Sequence, residues 1–201
     1  MNISFQNLIE HLQQYQHKGK HILPNGTQAI CHVPHVAPEA WLHIIYPGLT
    51  ERQIRELEDQ LPIPLPDDYK EFLLHVNGIN IYSDSLSIWG LKTSYDRNGD
   101  QAFQPYDLLA LNEERPIACP DSWLYFGSYS WDGSRVFFDL SEGSENNKVY
   151  YCDRDSTNIL KEWSSFWTWI DEEVERLSKL FDKDGVQLDE DIPTSPVSFV
   201  D

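Results

Sequence analysis

The segment Leu65–Gly78 constrains the fold most, because it marks both ends of one short helix. Pro66 suits the first helical position, and Asp67 and Asp68 place negative charge at the positive end of the helix dipole. Asn77–Gly78 predicts the end of the helix, since glycine readily adopts the left-handed conformation there. Apolar residues at i, i+3, i+4 and i+7 predict one buried face: Tyr69, Phe72, Leu73 and Val76.

The first 46 residues are predicted to form an N-terminal extension, made of a helix and a short hairpin. Apolar spacing predicts the helix over 4–16, and an Asn-Gly turn within 21–31 predicts the hairpin. Three prolines interrupt 34–47, which predicts a connecting segment.

The main α+β domain is predicted over residues 47–182. Thr50 and Gln53 form a potential capping box at its first helix. A short helix is expected near 106–114, and apolar spacing predicts a closing helix over 160–181. An acidic flexible tail is expected over 183–201. Segments rich in β-branched and aromatic residues predict five strands: Ile79–Tyr82, Leu86–Leu91, Trp123–Ser130, Arg135–Asp139 and Lys148–Asp153.

Composition narrows the functional classes. The 201 residues carry a net charge of −18, all of it beyond residue 46, so the surface would repel nucleic acid and anionic membranes and attract a basic partner. Solubility alone is the alternative explanation of that charge. No apolar run is long enough for a membrane span and no secretory signal is visible, so we expect a cytoplasmic protein. Three widely separated cysteines favour reduced, buried thiols: Cys31, Cys119 and Cys152.

Catalytic and metal-binding patterns are weak. Cys31, His32, His35 and His43 form the one cluster that suggests a metal, but paired zinc-ligand spacing is missing, so we expect no metal and no cofactor. No nucleophile motif or phosphate-binding glycine loop is present. His75 is the one histidine of the main domain, and an enzyme built on it and acidic neighbours is the weakest of three functional hypotheses.

A second segment completes a resemblance to a known family. Trp123–Leu140 reads as strand, turn, strand, with Phe126–Gly127, Asp132–Gly133 and Phe138–Asp139 at fixed places. Together with the Leu65–Gly78 unit upstream and a closing helix that contains Ser165–Phe166, it resembles the SUKH superfamily over about residues 49–180. That group includes bacterial immunity proteins related to a fungal cell-wall assembly regulator.

The resemblance implies both a fold and a role. The fold would be α+β, with a twisted, mainly antiparallel sheet packed by N-terminal helices and a C-terminal helix. Bacterial members bind and neutralise the toxic C-terminal domain of a polymorphic toxin, so the partner would be a cognate toxin domain, basic if it is a nuclease. They are stoichiometric binders and not enzymes. A non-enzymatic regulatory or scaffold module, as in the fungal relatives, is the alternative.

Partner-binding residues are expected on exposed turns of the sheet region. Buried hot spots of interfaces are enriched in aromatic residues and arginine, so Trp131 beside Asp132 is the foremost candidate. The alternative for each is a solvated turn residue. The full set of predicted partner-binding residues is Tyr82, Asp84, Tyr95, Asp96, Asp100, Trp131, Asp132 and Asp153.

Overall fold

A computed structural model describes residues 2–96, 98–143 and 148–196, apart from the side chains of residues 100 and 101. Its helices are α1 Ile3–Gln13, α2 Glu51–Glu58, α3 Asp67–His75, α4 Leu108–Glu113 and α5 Phe166–Ser178. Its strands are β1 Lys20–Ile22, β2 Gln28–His32, β3 Trp41–Pro47, β4 Val76–Ile81, β5 Leu86–Ile88, β6 Trp123–Tyr129, β7 Arg135–Asp139, β8 Val149–Cys152 and β9 Ile159–Trp163.

The strands form one antiparallel sheet in which spatial order follows chain order from β1 to β9. This twisted sheet and its helices confirm the predicted α+β class. In such a meander the chain reverses direction after every strand, so every second connection lies at the same end of the strands. That rule fixes which turns can build a common surface.

The main core lies between one sheet face and the helices. α1 packs on α5, and α3 packs on both α2 and α5. Stacked and edge-on rings join the layers: Tyr69 of α3 lies 5.3 Å from Phe126 of β6, and Phe72 lies 5.3 Å from Phe166 of α5. Such aromatic pairs add stability beyond the area they bury. The predicted face of the Leu65–Gly78 helix is therefore confirmed as core.

The other sheet face is covered in part by α4. The Asn112 side chain donates to the Tyr125 carbonyl at 2.8 Å and accepts from the Tyr125 N–H at 3.0 Å, which ties α4 to β6. These two bonds satisfy backbone polar groups of a buried strand, which would cost free energy if they were left unpaired. Beneath α4 lies a small second core of Leu111, Cys119, Trp123, Tyr125, Phe137 and Cys152.

The prediction that Asn77–Gly78 ends the helix at a left-handed cap is wrong. α3 ends at His75, Val76 is already extended, and both Asn77 and Gly78 lie inside β4. Gly78 does have a positive φ of 91°, but its role is close packing, since a Cβ there would meet the Ile88 carbonyl oxygen at 2.6 Å. Pairing of β4 with β3 and β5 therefore outweighs the local cap signal.

Two further segment predictions are wrong. The proposed connector over 34–47 contains β3, because Pro34 and Pro38 fall in the preceding turn and Pro47 lies at a register shift of the β3–β4 pairing, where a missing N–H is tolerated. The closing helix does not begin at residue 160. Ile159–Trp163 pairs with β8 as an edge strand, and Ser165 caps α5 by accepting the Thr168 N–H at 3.1 Å.

The proposed domain limits remain predictions. Two observations describe how the chain packs near the limits at residues 46 and 182. β3 spans the proposed boundary at residue 46 and is hydrogen-bonded to β4 within the same sheet. The chain after residue 182 packs on the domain as far as it is described, with Thr194 and Ser195 buried. Residues 197–201 lie outside the described part of the chain.

Candidate functional site

Four connections between strands lie together at one end of the strands, as the meander requires. They are residues 33–40, 82–85, 130–134 and 153–158, and we call this border the turn edge. Five of the eight predicted partner-binding residues lie on it: Tyr82, Asp84, Trp131, Asp132 and Asp153. The fold therefore brings together side chains that are up to 71 residues apart in sequence.

The turn between β4 and β5 has an unusual backbone. Tyr82, Ser83 and Asp84 have φ values of 52°, 54° and 66°, which are left-handed conformations that L-residues rarely adopt in succession. The Ser85 N–H closes the turn on the Tyr82 carbonyl at 3.1 Å. Strain of this kind persists only where surrounding contacts over-determine it, and it concentrates at functional sites.

The contacts of Tyr82 hold the strained β4–β5 turn in place. Its hydroxyl lies 2.7 Å from His11 Nε2, its backbone N–H donates to His43 Nδ1 at 3.3 Å, and its ring lies 4.8 Å from Phe181. Burial lowers the pKa of His43 to about 3, which keeps the ring neutral and Nδ1 free to accept. Tyr82 itself is fully buried, so the expectation that it is an exposed contact residue is wrong. It positions the turn.

Trp131 stands at the rim of a cleft of about 400 Å³. Its side chain is 47% exposed, and two other exposed apolar residues, Val36 and Val186, line the same cleft. Glu190 and Gln187 from the C-terminal segment form part of the polar rim. We call this the Trp131 cleft. An exposed aromatic beside a concave apolar surface is the arrangement typical of an interface anchor.

Asp84 lines a second cleft of about 310 Å³, on the sheet face that carries α4. Burial raises the pKa of its half-buried carboxyl, and a hydrogen bond from Asn80 partly offsets that rise. The rings of Trp89 and Tyr106 form an aromatic wall 5.2 Å apart, and the Trp89 indole N–H donates to Ser128 Oγ at 3.0 Å. We call this the Asp84 cleft.

A third, shallower hollow of about 360 Å³ contains Asp132 and Asp153. Asp132 accepts the Ser134 N–H at 2.9 Å, which fixes the tight turn of the β6–β7 hairpin. Asp153 accepts from Ser156 Oγ at 3.4 Å. Both carboxylates are half-buried at the turn edge, so the structure groups these two predicted residues.

The remaining predicted residues lie elsewhere. Tyr95 and Asp96 belong to the long β5–β6 connection, which starts at the opposite edge of the sheet. Tyr95 is exposed and its hydroxyl donates to the Asp107 carboxylate, while Asp96 is exposed and accepts the Asn98 N–H at 2.9 Å. The side chain of Asp100 lies outside the described residues.

Residues of the Asp84 cleft were missed from the sequence. Trp89 and Tyr106 were not among the predicted residues, because the prediction was confined to exposed turns. A signal was available, since Ser87 and Trp89 alternate with the apolar residues Leu86 and Ile88. That period-2 pattern indicates that the second sheet face is polar enough to line an open cleft.

The histidines and cysteines considered for catalysis or metal binding take part in packing. The His75 ring stacks on Phe5 at 4.7 Å between α3 and α1. The His32 ring bonds to the Pro38 carbonyl at 2.9 Å, and the three cysteines are free and buried. Within the described ranges, no three His, Cys, Asp or Glu side chains are grouped to hold a metal ion. None of the described helices combines the length and the apolar character that a membrane span requires.

Comparison with known proteins agrees with this architecture. The sequence model of the SMI1/KNR4 family (SUKH-1) matches residues 48–172, and the chain belongs to that family. A similar protein is the uncharacterized protein YnaB of Bacillus subtilis, which is 28% identical over 137 residues, covering 66% of this chain and 81% of YnaB. Family membership implies binding to protein partners in general.

Proposed function

We propose that this protein is a non-enzymatic immunity protein that binds a cognate toxin domain in the cytoplasm and blocks it by stoichiometric occlusion. The observation that carries the proposal is the Trp131 cleft, in a member of a family of protein-binding modules. A half-exposed tryptophan beside a concave apolar surface provides a large, rigid contact area with little entropy to lose on binding.

The charge distribution supports a basic partner, such as a nuclease domain. The chain has 33 acidic and 15 basic residues. Glu190 of the C-terminal segment lines the Trp131 cleft, and Asp132 and Asp153 of the turn edge line the neighbouring hollow. An acidic surface around an apolar anchor accelerates association with a basic protein and fixes the orientation of the complex. A nuclease presents a basic surface, since it must attract the phosphates of its substrate.

The experiment is coexpression with the C-terminal domain of a candidate toxin encoded beside this chain's gene. We expect survival of the host cells and a one-to-one complex of the purified proteins, with an affinity that falls as salt is raised. Replacing Trp131 and Asp132 together by alanine should abolish protection. The free energy of unfolding should fall by about 1–2 kcal/mol, because the Ser134 N–H loses its Asp132 acceptor while Trp131 is half exposed and lies outside the core.

Ile117→Ala is the matched control, because Ile117 is a fully exposed apolar residue in the α4–β6 connection, away from the turn edge. It should keep full protection. Absence of both complex and protection with the unmodified chain would contradict the proposed function. Stable binding of host regulatory proteins in that case would favour the scaffold role instead.

A further inference from the structure

Most of the residues that line the Trp131 cleft lie outside the family match, which covers residues 48–172. Val36 belongs to the connection between β2 and β3, and Val186 belongs to the segment that follows α5. Trp131 is the exposed apolar residue that the matched region adds. Segments outside a shared fold can differ between family members without disturbing the common core, so these walls are suited to selecting a partner.

Three apolar side chains of the cleft remain accessible to a partner. Val36 is 56% exposed, Trp131 47% and Val186 40%. The rings of Tyr82 and Phe181 also line the cleft and are buried, with their centroids 4.8 Å apart, so the apolar lining continues into the core. A concave apolar surface enclosing about 400 Å³ favours a large apolar side chain, because docking removes apolar area of both partners from water.

The charged part of the lining favours a cation. Among the described residues that line the cleft, Glu190 is the one carboxylate, and no lysine or arginine is present. Asp189 and Asp191 flank Glu190 and are exposed. The Gln187 side chain donates to the Asp189 and Ile192 carbonyls, both at 2.9 Å, which closes the loop that carries Glu190. A basic group beside the apolar occupant would therefore meet a carboxylate on a loop that is already ordered.

Contacts behind the C-terminal wall fix its position. Gly185 has a positive φ of 80° and packs so closely on β3 that a Cβ would meet Leu42 Cδ2 at 2.9 Å. One residue earlier, the Asp184 carboxylate lies 3.3 Å from Lys18 Nζ. A wall held in this way is formed before the partner arrives, so binding costs little ordering entropy.

We propose that the Trp131 cleft receives one large apolar side chain of the partner protein together with a lysine or arginine next to it in sequence. The apolar side chain lies against Val36, Trp131 and Val186, and the cation pairs with Glu190. Selection of the partner then resides in the segments on either side of the family match. This deepens the proposed function, on which it rests in taking the partner to be a protein.

The test uses the full chain and two blocked dipeptides, N-acetyl-leucyl-arginine amide and N-acetyl-leucyl-glutamate amide, which share an apolar side chain and differ in charge. NMR shifts of the Trp131 indole N–H report binding. We expect a saturable shift with the arginine probe and binding of the glutamate probe that is about threefold weaker. Replacing Val36 and Val186 together by serine should weaken the arginine probe roughly fivefold, and the fold is retained because both valines are exposed. Ile117→Ser is the control, since it changes an exposed apolar residue away from the cleft.

Glu190→Gln tests the charged half of the site. The preference for the arginine probe should fall toward equal binding of the two probes. Glu142→Gln is the matched control, because Glu142 is an exposed carboxylate in the β7–β8 connection and its replacement changes the net charge by the same amount. The proposal is overturned by the absence of a saturable shift of Trp131, by equal or tighter binding of the glutamate probe to the unmodified chain, or by a preference that Glu190→Gln leaves unchanged. Equal binding of the arginine probe by the double serine variant would overturn it as well.

The same variants separate this inference from the proposed function. If the unmodified chain protects against the toxin and the double serine variant binds the toxin equally well, the selective cleft is wrong and the immunity role stands. If no toxin is bound although the arginine probe binds in a manner that depends on Val36, Val186 and Glu190, the immunity role is wrong and the selective cleft stands.

Discussion

Arg176 connects a fully buried carboxylate, that of Glu173, to the C-terminal segment. Its Nη2 atom lies 2.6 Å from Glu173 Oε2 and also donates to the Thr194 carbonyl at 2.7 Å. The Tyr129 hydroxyl donates to the same Glu173 oxygen at 2.8 Å. One guanidinium group therefore compensates a buried charge within α5 and holds the segment that forms a wall of the Trp131 cleft.

Arg176→Gln is expected to lower the free energy of unfolding by up to about 3 kcal/mol, because it leaves the more distant Lys161, at 3.7 Å, to balance the charge of the buried Glu173 carboxylate. It should also make the 183–196 segment more sensitive to limited proteolysis. Chemical denaturation and protease digestion measure the two effects. Lys179→Gln is the control, since its ion pair with Glu175 is solvent-exposed and contributes little to stability. Equal loss in both variants would contradict the role of Arg176.

Asn77 is the second position where one side chain satisfies buried backbone. It donates to the Leu91 carbonyl and accepts the Leu91 N–H, both at 2.7 Å. Asn77→Ala should cost about 2–4 kcal/mol in denaturant unfolding, because both backbone groups lose their partner. Asn98→Ala, at an exposed loop position, should change stability by less than about 0.5 kcal/mol. A small effect at Asn77 would show that Leu91 finds other partners.

Sequence patterns within a few neighbouring residues predicted the helices and strands whose limits depend on local interactions. The Thr50–Gln53 capping box is confirmed, with both reciprocal hydrogen bonds formed. The β1–β2 and β6–β7 hairpins lie where turn residues separate apolar strands. β3 and β9 were missed because pairing with β4 and β8 decides their conformation, and such distant partners leave no mark in a short window of sequence.

The candidate site was only partly predictable for the same reason. Trp131 and Asp132 were found from the composition of one turn. The Asp84 cleft instead depends on residues of β5, β6 and β7 that meet only after the sheet has formed. Tyr82 was misjudged because a turn residue is normally exposed, whereas here contacts with His11 and His43 hold its ring inside.

Asp84→Asn should stabilise the protein. Because burial raises the folded-state pKa of Asp84, its ionised form is less favourable in the folded protein than in the unfolded chain. The variant should therefore gain roughly 1 kcal/mol at pH 7, the low end of the effect of an incompletely paired buried group. The gain should shrink as pH falls through the folded-state pKa. Urea unfolding at pH 7 and pH 4 checks this, and a stability loss at pH 7 would contradict it.

His43 should make the fold sensitive to mild acid. Its pKa is lowered from 6.5 to about 3 by burial, with a smaller contribution from His11, so protons bind the unfolded chain first as pH falls below 6.5. The contribution of His43 to stability is complete above pH 6.5 and declines by up to about 1.4 kcal/mol per pH unit between there and pH 3.

The groups that face His43 allow a specific comparison. The rings of Tyr15 and Tyr82 pack on it edge-on, and His11 bonds to Tyr82 nearby. His43→Asn retains an acceptor for the Tyr82 N–H but cannot be protonated, so it should be less stable than wild type at pH 7 yet lose less stability between pH 7 and pH 5. Denaturant titrations at the two pH values measure that difference. Because burial also lowers the pKa of His11, and His11 and the carboxylates are common to both proteins, an equal loss in the variant would assign the acid sensitivity to those groups and not to His43.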